Sequence, residues 1–490
     1  MSGPTAKAPS NGDIIWLYQA TQKIYPRSVN GRFARLRWAV VLITQLLFYG
    51  LPWLAWNGRQ AVLFDLGARK FYLFGVVLWP QDFIYLTGLL VMSALALFLF
   101  TAVAGRVWCG YACPQTVYTE LFLWIERLLE GDRNVRMKLD QGPWGLNKAL
   151  RKGAKHLAWG AVAVLTGFTF VGYFEPIRDL PAEILTLNAS GWTLFWMLFY
   201  SVATWGNAGF MREQVCKYMC PYARFQSAMF DHDTLTVTYD QRRGEPRGSR
   251  PRSADPSTLN LGSCIDCSLC VQVCPTGIDI RQGLQYECIG CAACIDVCDD
   301  VMDRMNYPRG LIRYTTEREV QRPRDIAKGN EGALSHLLRP RTLVYATILT
   351  SIFSLWVWAL STRNPLRVDV IRDRNALARV VEDDRIENVF RLQLMNSDEH
   401  PHRYRVSVSG IPGIRIASAS QFQVDSASNR IVALRVQVPE DTGDTGHADH
   451  ADHAGDIAHR RSRPIEIQVT SDDEFPQPIR EKSVFLFPAH

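Results

Sequence analysis

At 490 residues the chain is long enough for several domains. Its 54 Lys and Arg against 48 Asp and Glu leave a net charge of +6, too mild over this length to suggest a nucleic-acid partner. The 14 Trp and 23 Phe gather in long apolar runs, which argues against a plain soluble protein and for a membrane.

Residues 1–35 read as a polar, basic cytoplasmic tail. Lys23, Arg27, Arg32 and Arg35 stand just ahead of the first apolar run, and no early apolar segment of a cleavable signal peptide is evident. Five apolar runs follow, at 36–56, 83–104, 157–174, 191–210 and 343–361, each near the ~20 residues an α-helix needs to cross hydrocarbon. Residues 57–81 mix apolar and charged side chains and read as a re-entrant or interfacial segment, and 105–155 as a basic, mostly polar loop. Lys and Arg crowd the tail, the 105–155 loop and the 211–340 region, and thin out at 57–81 and 175–190. The positive-inside rule then places the N-terminus in the cytoplasm and, after five spans, the C-terminus outside.

Cysteine usage gives the same sidedness. All 12 cysteines lie between Cys109 and Cys298, all within motifs, and thiolates last best in a reducing compartment. The strongest motif is a pair of C-x2-C-x2-C-x3-C runs, 264–274 and 288–298, the spacing of a two-cluster ferredoxin in which the fourth Cys of each run serves the other cluster. That assigns Cys264, Cys267, Cys270 and Cys298 to one [4Fe–4S] cluster, and Cys288, Cys291, Cys294 and Cys274 to the other. A zinc ribbon would use pairs of Cys across a long spacer; a third Cys three residues after the second suits a cubane better. Pro275 closes the first run, Asp299 stands in its place in the second, and Gly290 would let the loop backbone approach a cluster.

The second constellation is a repeated C-x3-C-P, Trp108–Pro114 and Val215–Pro221, each with Tyr two residues after its first Cys. On a helix the two Cys of each motif would share a face, with Pro breaking the helix just beyond. Cys109, Cys113, Cys216 and Cys220 would then converge on one four-thiolate site or act as separate redox dithiols; soft thiolates suit Cu(I), zinc or Fe–S. A third feature, His447, His450 and His453 with His459 nearby, suits either loose metal binding or a solvated polar insertion. There is no C-x-x-C-H for covalent haem, no P-loop and no dinucleotide fingerprint, and His156 reads as an interfacial residue rather than a haem ligand. Electrons would come from a partner or a membrane quinol.

Residues 240–256, rich in Pro, Arg and Gly, read as a flexible lead into the cluster module. After the fifth span, Val389–Leu394, Tyr404–Val408, Ile431–Val438, Ile465–Val469 and Ser483–Phe487 alternate apolar with polar, as half-buried strands do, and suggest an immunoglobulin-type β-sandwich without a Cys pair. The expected architecture is a multi-domain membrane protein. A cytoplasmic tail (1–35) leads into a four-helix membrane domain carrying both C-x3-C-P motifs (36–239) and a linker (240–256). A ferredoxin-like cytoplasmic domain (257–340), a fifth transmembrane α-helix (341–362) and a periplasmic immunoglobulin-like β-sandwich (363–490) complete it.

Taken together, these residues resemble the cytochrome c oxidase accessory proteins of the CcoG/FixG/RdxA family. The likeness covers nearly the whole chain: Lys23-Ile-Tyr-Pro-Arg27 before the first span, both C-x3-C-P motifs, the paired cluster runs with Tyr286-Glu-Cys-Ile289 between them, and the Cys-free β domain. It implies a protein of the bacterial inner membrane, in contact with lipid, carrying two [4Fe–4S] clusters. It implies an oxidoreductase that reduces Cu(II) to Cu(I), with copper as substrate, in support of cbb(3)-type oxidase assembly; the oxidase or its assembly factors would be partners, and the electron donor is unidentified. On that reading Cys109, Cys113, Cys216 and Cys220 handle copper or relay electrons. Two other readings stand beside it: a quinol-oxidising electron-transfer subunit feeding another redox partner, and a non-catalytic assembly factor whose clusters only stabilise the fold.

Overall fold

The computed structural model describes residues 23–227, 229–254, 259–321, 339–372, 378–381, 384–440, 462–471 and 478–488. His447, His450, His453 and His459 lie outside the described residues. The chain divides into two compact units, one of residues 1–44, 97–165 and 199–343, the other of 45–96, 166–198 and 344–490.

Among the described residues four helices are long and apolar enough to cross a membrane: Arg32–Trp53, Pro80–Ala104, Leu146–Val171 and Pro340–Ser361. Their outer faces are uncovered, with Leu46 76% and Ile84 73% exposed. Lipid accommodates such a surface and water does not. The run expected at 191–210 forms a shorter α-helix, Gly191–Gly206, which widens into a π-helical turn at Asn207–Met211. Four such helices therefore stand where five runs were expected.

In the first unit, the stretch expected as a polar loop at 105–155 is mostly helical: Val107–Tyr111, Pro114–Glu130, Arg133–Gln141 and the start of Leu146–Val171. The Pro114–Glu130 helix buries Val117, Phe122 and Ile125 on one face, against Trp159 and Ala208 in the case of Phe122 and Ile125. Its basic neighbours are not a solvated run. Arg136 bonds Glu126 at 2.7 Å with both side chains 1% exposed, Arg212 reaches the same carboxylate at 3.0 Å, and Lys155 and Lys152 each reach Glu130 at 3.0 Å. A composition count sees excess charge here; packing turns it into internal ion pairs.

The cluster module lies in the same unit. Strands Thr236–Tyr239 and Ile312–Thr315 pair antiparallel on either side of it in sequence, and the Ala293–Met305 helix packs within it. The stretch expected as a flexible lead is packed onto the module instead. Asp240 caps the Gln241–Gly244 turn, Arg243 donates to the Arg309 carbonyl at 2.9 Å, and the buried Arg250 donates to the Gly262 carbonyl at 2.6 Å and lies over the Tyr307 ring. Arginine guanidinium planes make ordered contacts there that a count of Pro, Arg and Gly does not anticipate.

In the second unit, the segment expected as re-entrant or interfacial forms short strands. Asn57 and Gly58, both with positive φ, turn the chain between Ala55–Trp56 and Arg59–Gln60, the Asn-Gly hairpin signal. Val62–Asp65, Lys70–Leu73 and Val76–Leu78 continue as an antiparallel meander. Two of the apolar helices meet at Gly88, where a Cβ would lie 2.7 Å from the Trp356 ring, and Trp356 donates to the Tyr85 carbonyl at 2.9 Å.

The C-terminal region is a two-sheet antiparallel sandwich. One sheet runs Arg415–Ile416, Asn429–Pro439, Arg385–Asn396, Leu366–Arg372, with Arg379–Val381 also on Arg385–Asn396; the other runs Gln421–Val424, His402–Ser409, Ser462–Ser471, Ile479–Leu486. All five stretches expected as strands fall in strands, and Phe390, Leu392, Leu434, Ile467 and Phe485 meet in its core. The buried Asp82 receives Arg367 at 2.6 Å and Arg363 at 3.5 Å, tying the start of the sandwich to the Pro80–Ala104 helix. Replacing the fully buried Leu392 with Ala is expected to destabilise the sandwich by about 2–5 kcal/mol, read as a lower unfolding midpoint in the full-length protein by calorimetry.

Candidate metal centre

Each cysteine loop is coiled by the same backbone device. Asp266 and Ser268 flank Cys267 with φ of 53° and 54°, and Gly290 and Ala292 flank Cys291 with φ of 67° and 59°. Left-handed residues alternating with ordinary ones turn successive N–H groups towards one point, an anion-binding nest that suits an iron–sulfur cluster. Ser268 and Ala292 then start the Leu269–Gln272 and Ala293–Met305 helices. The first helix stops ahead of Pro275. The second runs on through Asp299, whose carboxylate accepts from the Gly310 N–H at 2.9 Å; a Pro there would break it.

Cys264, Cys267, Cys270 and Cys298 line one cavity, together with Tyr239 and Arg281. Cys288, Cys291 and Cys294 each feel the field of Cys274, which places that thiol beside the second loop. Burial pushes the Cys288 and Cys298 thiols up to about 12 and Cys270 to about 11. Such thiols ionise only when a metal compensates the charge. The paired nests and the C-x2-C-x2-C-x3-C spacing suit a cluster better than a tetrahedral zinc. Cys267 is exposed while Cys264, Cys270 and Cys291 are buried, so the first loop faces solvent.

Both C-x3-C-P motifs share a local geometry, but not the one expected. Cys109 sits in the short Val107–Tyr111 helix and Cys216 in a π turn, Val215–Met219. Cys113 and Cys220 are extended, with ψ of 129° and 109°, so the helix ends before the second Cys and no continuous i, i+4 face exists. Pro114 and Pro221 begin new helices, Pro114–Glu130 and Pro221–Ser227, rather than breaking old ones: a first-turn Pro lacks only an N–H that would be unpaired anyway. The four thiols are half-buried neighbours. Burial first, then the fields of Cys113, Cys216 and Cys220, push Cys109 up to about 12; burial, then Cys113 and Cys220, push Cys216 to about 11. Cys109 also lies 3.4 Å from the Gln226 side-chain oxygen.

Both motifs rest on the cysteine module. A Cβ on Gly110 would meet the Ile289 carbonyl oxygen at 2.8 Å, the Gly290 carbonyl carbon at 2.9 Å and Cys291 Cα at 3.0 Å. Gly290 lies in turn against the Arg106 backbone, two residues before the first C-x3-C-P motif. Arg106 donates to the Cys288 carbonyl at 3.3 Å, Arg37 to the Cys291 carbonyl at 2.9 Å, and Tyr314 to the Gly290 carbonyl. From the second motif, Lys217 donates to the Thr276 carbonyl at 3.2 Å, two residues past Cys274. Asp296 accepts from the Phe33 and Ala34 N–H groups at 3.1 and 2.7 Å and caps the first apolar helix. Sequence reasoning missed Arg37, Arg106, Gly110, Lys217, Asp296 and Tyr314. Gly110, Lys217 and Asp296 lie inside motifs already singled out; Arg37, Arg106 and Tyr314 carry no local signal of a partner so far away in sequence.

Apolar helices, nest-forming cysteine loops and a β-sandwich define a membrane iron–sulfur protein. Its parts match known families: a 4Fe-4S binding domain over residues 86–131, a 4Fe-4S dicluster domain over 211–317, and the IG-like fold at the C-terminus of FixG over 356–488. The chain is 40% identical over 436 residues to the nitrogen fixation protein FixG of Rhizobium meliloti, covering 84% of this chain and 83% of that one. It is 40% identical over 436 residues to the protein RdxA of Cereibacter sphaeroides, covering 87% and 91%. A more distant likeness, 24% over 180 residues, reaches the methylamine utilization ferredoxin-type protein MauN of Methylobacillus flagellatus, covering 36% of this chain and 50% of that one. The chain belongs to the FixG family, and its chemistry is iron–sulfur electron transfer at a membrane.

Gly110→Val is expected to force the first motif off the Ile289–Cys291 backbone. Electron paramagnetic resonance of the reduced protein should then show an altered signal from the cluster on the second loop, with the other signal unchanged; a wild-type spectrum would refute the contact.

Proposed function

We propose that the chain reduces Cu(II) to Cu(I) in support of cbb(3)-type oxidase assembly. Cys264, Cys267, Cys270 and Cys298 would hold one [4Fe–4S] cluster and Cys288, Cys291, Cys294 and Cys274 the other, and each cluster when bound supplies a one-electron carrier. The observation that carries the reading is the seating of both C-x3-C-P motifs on the cysteine module, by Gly110 against Ile289–Cys291 of the second loop and by Lys217 on Thr276, just past the first. Cys109, Cys113, Cys216 and Cys220 would receive copper there. Four neighbouring, half-buried thiols favour a soft monovalent cation, which draws them to thiolate and stabilises the reduced ion against the oxidised one.

On this reading residues 191–211, α-helix and π turn together, form a fifth span, and the cysteine loops face the cytoplasm. The β-sandwich then lies in the periplasm, where it suits docking on the oxidase or on its assembly factors. The basic 105–155 and 211–340 regions support that orientation.

Cys109→Ser and Cys220→Ser are each expected to lower Cu(II) reduction by the dithionite-reduced protein at least roughly tenfold. The visible absorbance of the clusters should stay at wild-type intensity, and a bicinchoninic-acid assay for Cu(I) reads the rate. Unchanged reduction in both variants would sink the copper reading. Loss of reduction in Cys291→Ser rules out the scaffold reading; if reduction survives there, the cluster on the second loop is not its electron source and the relay fails.

A further inference from the structure

A second cavity lies beside the second motif and is not used by the copper reading. It holds about 360 Å³, a size suited to one small ring, and its lining combines Trp159, Phe210 and Ile24 with His156, Glu213 and a set of paired charges that includes Arg212, Lys155 and Glu126. One wall is aromatic: the His156 and Phe210 rings stack at 5.8 Å and 14°, and Trp159 meets His156 edge-on at 5.3 Å. Phe210 is 55% exposed on the π turn and Trp159 is 1% exposed, so the wall runs from the lipid-facing surface into the protein. Glu213 stands three residues before Cys216.

The backbone there is irregular. Arg212 has φ of 40° between two π turns, Asn207–Met211 and Val215–Met219, and is held by bonds from its Nε to the Gly209 carbonyl at 2.9 Å and from its N–H to the Asn207 carbonyl at 2.7 Å. Irregular helical turns and left-handed non-glycine residues that the surroundings hold in place concentrate at functional sites.

Charge decides what fits. Arg212 pairs with Glu126 at 3.0 Å, Lys155 with Glu130 at 3.0 Å and Lys23 with Asp140 at 2.7 Å. These cations are already matched, which disfavours a phosphate headgroup. His156 Nδ1, by contrast, is buried with no hydrogen-bond partner and offers an acceptor to a neutral hydroxyl. A neutral aromatic ring bearing a hydroxyl, arriving from lipid, satisfies all of these features.

We propose that this cavity binds the ring of a membrane hydroquinone, with a ring hydroxyl donating to His156 Nδ1 and the ring lying along Phe210. The inference names the electron donor for the relay proposed above and rests on that reading for its consequence. Oxidation of one hydroquinone to the quinone releases two electrons and two protons. Two Cu(II) ions take up one electron each, and the protons pass to water, the first by way of His156.

The test uses the full-length protein, purified without oxygen and placed in phosphatidylcholine nanodiscs, titrated with short-chain ubiquinone and menaquinone analogues. Quenching of tryptophan fluorescence reads binding and cluster absorbance reads folding. Saturable quenching is expected from at least one analogue. His156→Phe, which keeps a ring and removes the acceptor, and Phe210→Ala, at an exposed position, should each weaken binding about tenfold with cluster absorbance retained. No saturable binding in the wild type, or unchanged affinity in both variants, overturns the proposal. So does loss of binding when phosphatidylglycerol replaces phosphatidylcholine, which marks an anionic-lipid site. Cu(II) reduction by dithionite-reduced protein without analogue binding removes this inference and leaves the copper reading. His156-dependent binding without Cu(II) reduction does the reverse.

Discussion

The close approach of Gly110 to the Ile289–Cys291 backbone is the constraint around which the first unit is arranged. A cysteine loop that turns its N–H groups inward to a nest must turn carbonyls outward. Buried outward carbonyls need donors. Arg106, Arg37 and Tyr314 supply them at Cys288, Cys291 and Gly290, and these donors reach the loop only because Gly110 has no side chain to hold it off. Asp296, on the helix that starts within the second cysteine run, then caps the Arg32–Gly50 helix that carries Arg37. Contact, donors and cap form one interlocked set, so the cysteine loop and the helix ends of the first unit are ordered together.

The buried ion pairs of this unit have a different role. Two charges withdrawn from water cost more than a single exposed pair returns, and removing one partner leaves the other stranded at a cost of about 3–5 kcal/mol. Glu126 is buried yet holds its proton less tightly than an ordinary carboxylic acid, because Arg212, Arg136 and Lys155 together outweigh the burial that would raise it. This carboxylate gathers three cations from three separate segments. It sets the register of the Pro114–Glu130 helix against the Leu146–Val171 helix and the π turns, which hydrophobic contacts along smooth helical faces leave free to slide.

Much of this was legible in sequence, and the failures have physical causes. Cysteine spacing and strand alternation are local patterns with a fixed period, and the cysteine loops and the sandwich strands appear where those patterns lie. The 105–155 stretch misled because charge was read as exposure; Arg136 and Glu126 satisfy each other where a count of Lys and Arg sees only polarity. The 57–81 segment misled because its strands are short, though Asn57-Gly58 carried a hairpin signal. The 240–254 stretch misled because Pro, Gly and Arg are also what a tightly folded loop needs when guanidinium groups satisfy its carbonyls. The i, i+4 geometry of the C-x3-C-P motifs failed for a subtler reason: Pro serves as well at a helix start as at a helix break, and spacing alone does not distinguish the two.

That last difference bears on chemistry. With the helix ended before Cys113 and Cys220, each motif offers one thiol from a helical turn and one from an extended residue, and the repeat in sequence becomes a repeat in shape. Both copies approach the cysteine module, one through Gly110 at the second loop and the other through Lys217 at Thr276, just past the first. Each thiol raises the proton affinity of its neighbours, and Arg106 is the cation whose field opposes that rise at both Cys109 and Cys216. One guanidinium offsets one thiolate, so ionising more of the set calls for further positive charge. A dithiol cycling through a disulfide needs only two thiols, and Cys109 and Cys216, whose proton affinity burial raises, are slow nucleophiles at neutral pH. On the copper reading proposed above, a bound cation at the C-x3-C-P motifs would complete the charge balance, and softness would favour Cu(I) over the harder ions.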